Sequence, residues 1–252
     1  MSRNRISNTG SGTFNPLVHK FEGFVALNEA DKDVLHRIAA LARDVPARTN
    51  LAREGDVHND ILLITEGVGC RFKQRANGAR QITAYLVPGD ACDLDIALMG
   101  RLDHTIATLS ACKVARISTS VLQEITENHP AIARAMRISA LIDEATLREW
   151  LVNVGCRSAL ERIAHLFCEL LLRLRAVGLA TEDSCDLPMT QHELADTTGM
   201  TTVHVNRSLQ ELRRRGLIEL KGKNLRILDW PRLKSLAEFK AGYLRLGEQS
   251  AT

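Results

Sequence analysis

The chain has 252 residues, 45% of them hydrophobic and 25% charged, a balance ordinary for a soluble globular protein of one large domain or two smaller ones. No run approaches the roughly 20 apolar residues of a membrane span, and Met1–Pro16 lacks the apolar stretch of a secretory leader, so a cytoplasmic protein without membrane contact is expected. The formal charge of +3 is too small for nucleic-acid binding to be argued from the whole chain, and the distribution of charge must carry that question.

In chain order, residues 1–15 read as a disordered tail, and residues 1–27 together as tail and lead-in. Ala30, Val34, Leu35, Ile38 and Leu41 recur at helical spacing and predict a helix over 28–42. From Val45 to about Ser118 the texture changes to short β-branched runs: ILLIT (61–65), VGCRFKQ (68–74), RQITAYLV (80–87), TIATLS (105–110) and KVARIS (113–118). Glu66-Gly67, Asn77-Gly78 and Pro88-Gly89 punctuate them, and Asn-Gly predicts a type I′ hairpin turn. Such spacing predicts an antiparallel β-roll, a cupin-like jelly roll, over 28–118. Helical spacing resumes at Thr119 and runs to Val177, with Pro130 suited to a first helical turn. The run Ala131–Val154 is more apolar than a solvent-facing helix requires. Ile138, Leu141, Ile142 and Ala145 are therefore expected to form a dimer seam within a linker and dimerisation helix (119–154). Packing on its own roll is the alternative, and both can hold. Gly155 reads as the hinge into a second domain (155–235), Gly178–Pro188 as a polar loop, and 236–252 as a C-terminal tail.

Within that second domain, Gln191–Arg215 (QHELADTTGMTTVHVNRSLQELRRR) reads as helix, tight turn, helix. Ala195 is small where two helices approach, Gly199 can take the positive φ of the turn, and Val205 is apolar where the second helix packs back. Thr201, Thr202, His204, Asn206 and Arg207 then share a polar face suited to base edges in a major groove, with Gln191 beside the backbone. LIEL (217–220), a Lys-Gly-Lys-Asn turn and LRIL (225–228) predict a wing whose Lys221 and Lys223 grip phosphate. Between Thr190 and Lys234, nine Lys or Arg, among them Arg213 and its two neighbours, stand against five acids. The positive excess thus lies where the motif lies, as phosphate contacts require.

Roll, long helix and winged helix-turn-helix in this order resemble the Crp/Fnr family of bacterial transcription regulators, over about residues 25–235. LLITEGVG with the Asn-Gly turn, YLVPGD ending at Asp90, and the helix-turn-helix with its LIEL wing carry the resemblance. It implies an α+β fold, a homodimer joined along the long helices, a near-palindromic double-stranded operator and RNA polymerase as a partner. Its cyclic-AMP-binding members place a glutamate for the ribose and, ten residues on, an arginine and a Ser or Thr for the cyclic phosphate. Counted from Gly89-Asp90, those positions hold Leu94 and His104-Thr105, which predicts weak or absent cyclic-AMP binding. Asp93, Asp95, Leu94, His104 and Thr105, with Arg101 and Asp103 nearby, read either as solvated loop charge or as lining for another effector. Arg207 matches the family's base-contacting arginine. The frequent Arg-Glu pair before it is replaced here by Thr202-Val203, so the operator is expected to differ.

The sequence names no metal and no cofactor outright. The first of six cysteines is Cys70, so an N-terminal iron–sulfur cluster is unsupported. Haem through an axial His104, Cys70, Cys92 or Cys112, or a redox-active thiol at Cys156, stays open, as does an unknown small-molecule or redox signal. No P-loop, HExxH or GxSxG is present and an enzyme is not expected. The competing reading is a ligand- or redox-sensing module that acts through protein contacts rather than DNA.

Overall fold

The computed structural model describes residues 14–57, 60–92 and 100–246. The expected disordered tail at 1–13, and Asp93, Leu94 and Asp95 of the expected effector lining, lie outside the described residues. The lead-in is not featureless: Asn15 caps a helix α1 (Pro16–Glu22), its side chain accepting from the Leu17 amide at 3.0 Å while Leu17, Val18 and Phe21 bury themselves. A capping box between Asn28 and Asp31 starts α2 (Glu29–Ala40).

Eight strands follow: β1 (Arg43–Val45), β2 (Asn50–Ala52), β3 (Asp60–Glu66), β4 (Gly69–Gln74), β5 (Arg80–Leu86), β6 (Ala91–Cys92), β7 (Thr105–Thr108) and β8 (Cys112–Ser118). They pair antiparallel in two four-stranded sheets, β1-β8-β3-β6 and β2-β7-β4-β5, as a jelly roll. The sequence pattern passes over β1, β2 and β6, whose two or three residues are too few to show alternation. The β4–β5 hairpin corrects the expected type I′ turn. Gly78 donates to Arg75 C=O at 2.9 Å with φ +85°, while Asn77 stays at negative φ and accepts from the Ala79 amide. That is a longer loop with one left-handed glycine, where type I′ needs two positive φ values. Gly89, at φ +90°, is irreplaceable for a second reason: a Cβ there would lie 2.9 Å from the Pro16 carbonyl oxygen. The close approach seats α1 against the end of β5.

Two helices lead away from the roll, α3 (Thr119–Asn128) and the 27-residue α4 (Pro130–Cys156), which opens on Pro130 as expected. Gly155 does not break it. The chain turns at Arg157, and Ser158 with Glu161 forms the capping box that starts α5 (Ala159–Ala176). The reason is local: a helix tolerates one glycine at modest cost, while a capping box actively nucleates the next. The segment read as a polar loop contains β9 (Ser184–Asp186), which joins β10 (Ile218–Lys221) and β11 (Asn224–Ile227) in a three-stranded wing sheet, order β10-β11-β9. Between them stand α6 (Gln191–Thr198) and α7 (Thr202–Arg214). Beyond the wing, α8 (Trp230–Leu236) and a 3-10 turn (Ala241–Leu244) pack rather than trail away, since Leu233, Ala237, Phe239 and Leu244 are buried.

The buried residues form two clusters. One fills the roll between its sheets together with α1, α2 and the start of α4. The other runs without interruption from Cys70, Phe72, Ile82, Tyr85 and Val87 of the roll through Trp150 to Phe167, Leu194, Val205 and Leu209 of the C-terminal region. Roll and winged helix therefore share a core. His165 sits wholly buried in that second cluster, 5.0 Å from the Phe239 ring, with Nε2 3.2 Å from Glu149 Oε1 on α4. Burial, aided by the Arg157 charge, holds its pKa down to about 4. The folded imidazole thus stays neutral where an unfolded one takes up a proton, so stability falls as pH drops from near 6.5 towards 4. A His165→Gln variant is expected to lose about 2 kcal/mol less than the parent between pH 7.5 and pH 5, read from urea midpoints at the two pH values.

Candidate nucleic-acid interface

Thr190 and Glu193 close a capping box on α6, with the Glu193 amide 3.2 Å from Thr190 Oγ1 and the Thr190 amide 2.6 Å from Glu193 Oε2. Gly199 ends that helix in the left-handed conformation, φ +65°, and its amide returns to Ala195 C=O. Thr201 then caps α7, accepting from the His204 amide at 3.3 Å. Ala195 and Val205 are buried between the two helices. The turn is thereby fixed by one glycine and two caps, and α7 has one face for the core and one for solvent.

Thr202, Val203, His204 and Arg207 occupy the solvent face, and Val203 is 57% exposed, a large apolar surface for an isolated side chain. Asn206 is half-buried and donates to Gln191 Oε1 at 3.3 Å, which ties both side chains to the gap between the helices. Gln210, three residues beyond Arg207, is exposed on the same face. The 3.6-residue period of the helix already points to this position in the sequence. Arg213 is exposed; Arg214 and Arg215 both hold Glu211 at 2.7 Å, and their hydrogen bonds bring its carboxyl down to about 2. At the wing tip Gly222 takes φ +62° and carries Lys221 and Lys223 into solvent, Lys221 Nζ lying 2.8 Å from Glu219.

What holds this head in place is a polar seam to the roll that the sequence did not announce. Tyr85, buried on β5, reaches Thr197 Oγ1 on α6 at 2.6 Å, and Gln81 Nε2 donates to Thr197 C=O at 2.9 Å. Arg80 pairs with Asp196 at 2.7 Å. A second seam lies one layer deeper. Asp90, at the turn after β5, accepts from Lys20 on α1 at 2.6 Å and from Arg173 on α5 at 2.7 Å. Arg173 also donates to Tyr85 C=O and to Glu169, which in turn accepts from the Trp150 indole on α4 and the Tyr243 hydroxyl. Burial alone would raise the Asp90 carboxyl, but Lys20 and Arg173 hold it below the usual range; burial pushes Glu169 up. One cluster therefore joins α1, the roll, α4, α5 and the C-terminal turn.

The remaining expected residues fall as follows. At the position that corresponds to a phosphate-binding arginine, His104 Nδ1 lies 2.6 Å from Asp103, and the Thr105 hydroxyl accepts from the Glu54 amide. Of the four expected seam residues on α4, Leu141 is 61% exposed, while Ile138, Ile142 and Ala145 are half-buried and Ile142 turns towards its own chain. Leu147 and Leu151 extend the exposed stripe instead. Cys70, Cys92 and Cys112 are buried, burial pushing Cys70 up to about 12, whereas Cys156 is exposed at the end of α4. Among the described residues no group of three His, Cys, Asp or Glu is placed to hold a metal ion, and no helix is long and apolar enough to cross a membrane.

Two family profiles match this architecture: a cyclic nucleotide-binding domain over residues 42–129 and a Crp-like helix-turn-helix domain over 161–236. The nitrogen fixation regulation protein FixK of Bradyrhizobium diazoefficiens is 29% identical over 184 residues, 73% of this chain and 76% of that one. The transcriptional activatory protein AadR of Rhodopseudomonas palustris is 27% identical over 211 residues, 84% of this chain and 87% of that one. The solved structure of FixK2 from Bradyrhizobium japonicum has the same fold, with a TM-score of 0.69 at 21% identity over 79% of this chain and 99% of that one.

The inter-domain cluster makes one energetic prediction. Replacing Arg173 by Met leaves a buried Asp90 with Lys20 as its sole cation and should cost about 3–5 kcal/mol of stability, measured by denaturant unfolding. A loss within 1 kcal/mol would remove the cluster from its structural role.

Proposed function

Because the chain belongs to the Crp/Fnr family of DNA-binding transcription regulators, we propose that it acts as a homodimer on a near-palindromic operator, α7 entering the major groove of each half-site. The observation that carries the reading is the exposed Thr202, Val203, His204 and Arg207 face, set by the Gly199 turn and flanked by the Lys221–Lys223 wing tip. In this reading Arg207 makes the bidentate contact to guanine and Val203 packs on a thymine methyl. Arg213, Lys221 and Lys223 neutralise phosphate. The Asn206–Gln191 pair steadies the approach to the backbone. Thr201 contributes as the cap of α7. Leu141, Leu147 and Leu151 on α4 supply the dimer seam. Transcription is then regulated through RNA polymerase, without an enzymatic step and inside the cell.

Replacing Arg207 by Ala is expected to cost roughly 1–3 kcal/mol of operator affinity and to relax one base position per half-site. Selection of bound fragments from random duplexes, followed by footprinting, measures both, and an unchanged footprint would remove α7 from the groove.

We further propose that the roll is not a cyclic-AMP site. The position that the family gives to a phosphate-binding arginine carries His104, paired with an Asp103 carboxylate that the ring holds below the usual carboxylate range, in place of a guanidinium fork. Calorimetric titration with cyclic AMP should give no saturable heat at micromolar concentrations; stoichiometric binding would overturn the assignment.

A further inference from the structure

A cavity of about 200 Å³ lies where five elements meet. Among the described residues, none between 100 and 105 lines it. Phe24 of the lead-in, Val87 of the roll, Ile142 of α4, Val177 after α5, and Leu244 and Leu246 of the C-terminal turn form apolar walls. One end is polar and is built by the ion cluster described above: Lys20, Asp90 and Arg173, with Asp143 beside them. We propose that this cavity binds a small organic monocarboxylate, its hydrocarbon body against the apolar walls and its carboxylate on Lys20.

Three observations select that chemistry. A cavity of about 150 Å³ lined by aliphatic and aromatic side chains takes up benzene, so this one has room for a six-carbon body with a small head group. The polar end favours an anion. Asp90 already accepts three bonds, one oxygen from Lys20 and the other from Arg173 and the Val87 amide, and Asp143 is paired with Arg71 at 3.1 Å. An ammonium has three donors; Asp90 takes one from Lys20, which leaves donors for a carboxylate at the cavity wall. A cationic ligand would have to compete with two ion pairs already formed, and a neutral one would leave the Lys20 donors to water.

The walls also belong to different parts of the chain. Val87 and Asp90 are roll, Ile142 and Thr146 are long helix, and Arg173 and Ala176, with Val177 at the C-cap, belong to the first helix of the DNA-binding domain. An occupant that touches all three binds best when they are docked as here and so raises the population of this arrangement.

The test uses the full chain and does not depend on DNA. Benzoate, phenylacetate and hexanoate are titrated by calorimetry and thermal melting, with benzyl alcohol and 1-hexanol as uncharged counterparts. At least one carboxylate should bind at one per chain and raise Tm, with its alcohol about tenfold weaker or more. Lys20→Met should weaken the carboxylate about tenfold and leave the alcohol unchanged. Ile142→Trp and, independently, Ala176→Leu should fill the cavity and abolish binding, each variant first shown to keep the parent's circular dichroism and cooperative melt. No saturable binding of any of the three acids to the parent at millimolar concentration overturns the proposal. So does an acid whose affinity survives both a folded cavity-filling variant and Lys20→Met.

Discussion

Asp90 is a carboxylate that water scarcely reaches, and the arrangement of the molecule follows from how its charge is met. A lone buried carboxylate is too costly to keep ionised, so its neighbours must supply cations and donors from whatever elements lie within reach. Here these are Lys20 from the lead-in helix, Arg173 from the first helix after the linker, and the Val87 amide of its own turn. Because each partner comes from a different element, satisfying one charge fixes three directions at once. Arg173 then extends the bonding to Glu169, and through it to Trp150 and Tyr243. The hydrophobic seam around Tyr85 and Trp150, with edge-to-face rings 5.8 Å apart, gives this polar cluster the water-free surroundings in which its hydrogen bonds gain strength.

The reading head depends on the same frame. Its helices are set relative to one another by Gly199 and two threonine caps, which are local devices. Its placement against the roll is set by Tyr85, Gln81 and Arg80, which are not. A base-reading helix has to be positioned to within a fraction of an ångström to make bidentate contacts. The arrangement therefore separates two tasks: turn and caps make the motif, while the roll decides where it points.

That division also explains which features could be read from the sequence. Local chemistry was legible: Pro130 as a helix start, Gly199 as a left-handed cap, Ala195 and Val205 as the packed face, and the LIEL–LRIL wing all declare themselves within a few residues. The five strands of the roll longer than three residues show as β-branched runs, whereas β1, β2, β6 and β9 are too short to carry a period and depend on a neighbouring strand for their hydrogen bonds. The Asn77-Gly78 turn kept its position but changed its type, since loop length is decided by strand register rather than by the dipeptide. Long-range polar partners stayed invisible. Nothing near Asp90 in sequence points to residue 173, and nothing near Thr197 points to residue 85. The C-terminal residues were misread for the same reason: Phe239, Tyr243 and Leu244 look like a tail until α5 and His165 supply the surface they cover.

The core that passes unbroken from the roll into the winged helix bears on how such a protein can be altered, by breeding or by engineering. Where two domains meet through a wet, flexible joint, a sensor from one relative can be spliced to the reader of another with little penalty. Here the splice would cut through Tyr85, Trp150 and Arg173, leaving mismatched shapes and an orphaned charge on both halves. Sensor and reader of this chain are therefore joined through one packed core, and a hybrid regulator built from it must carry the matching hairpin along with the head.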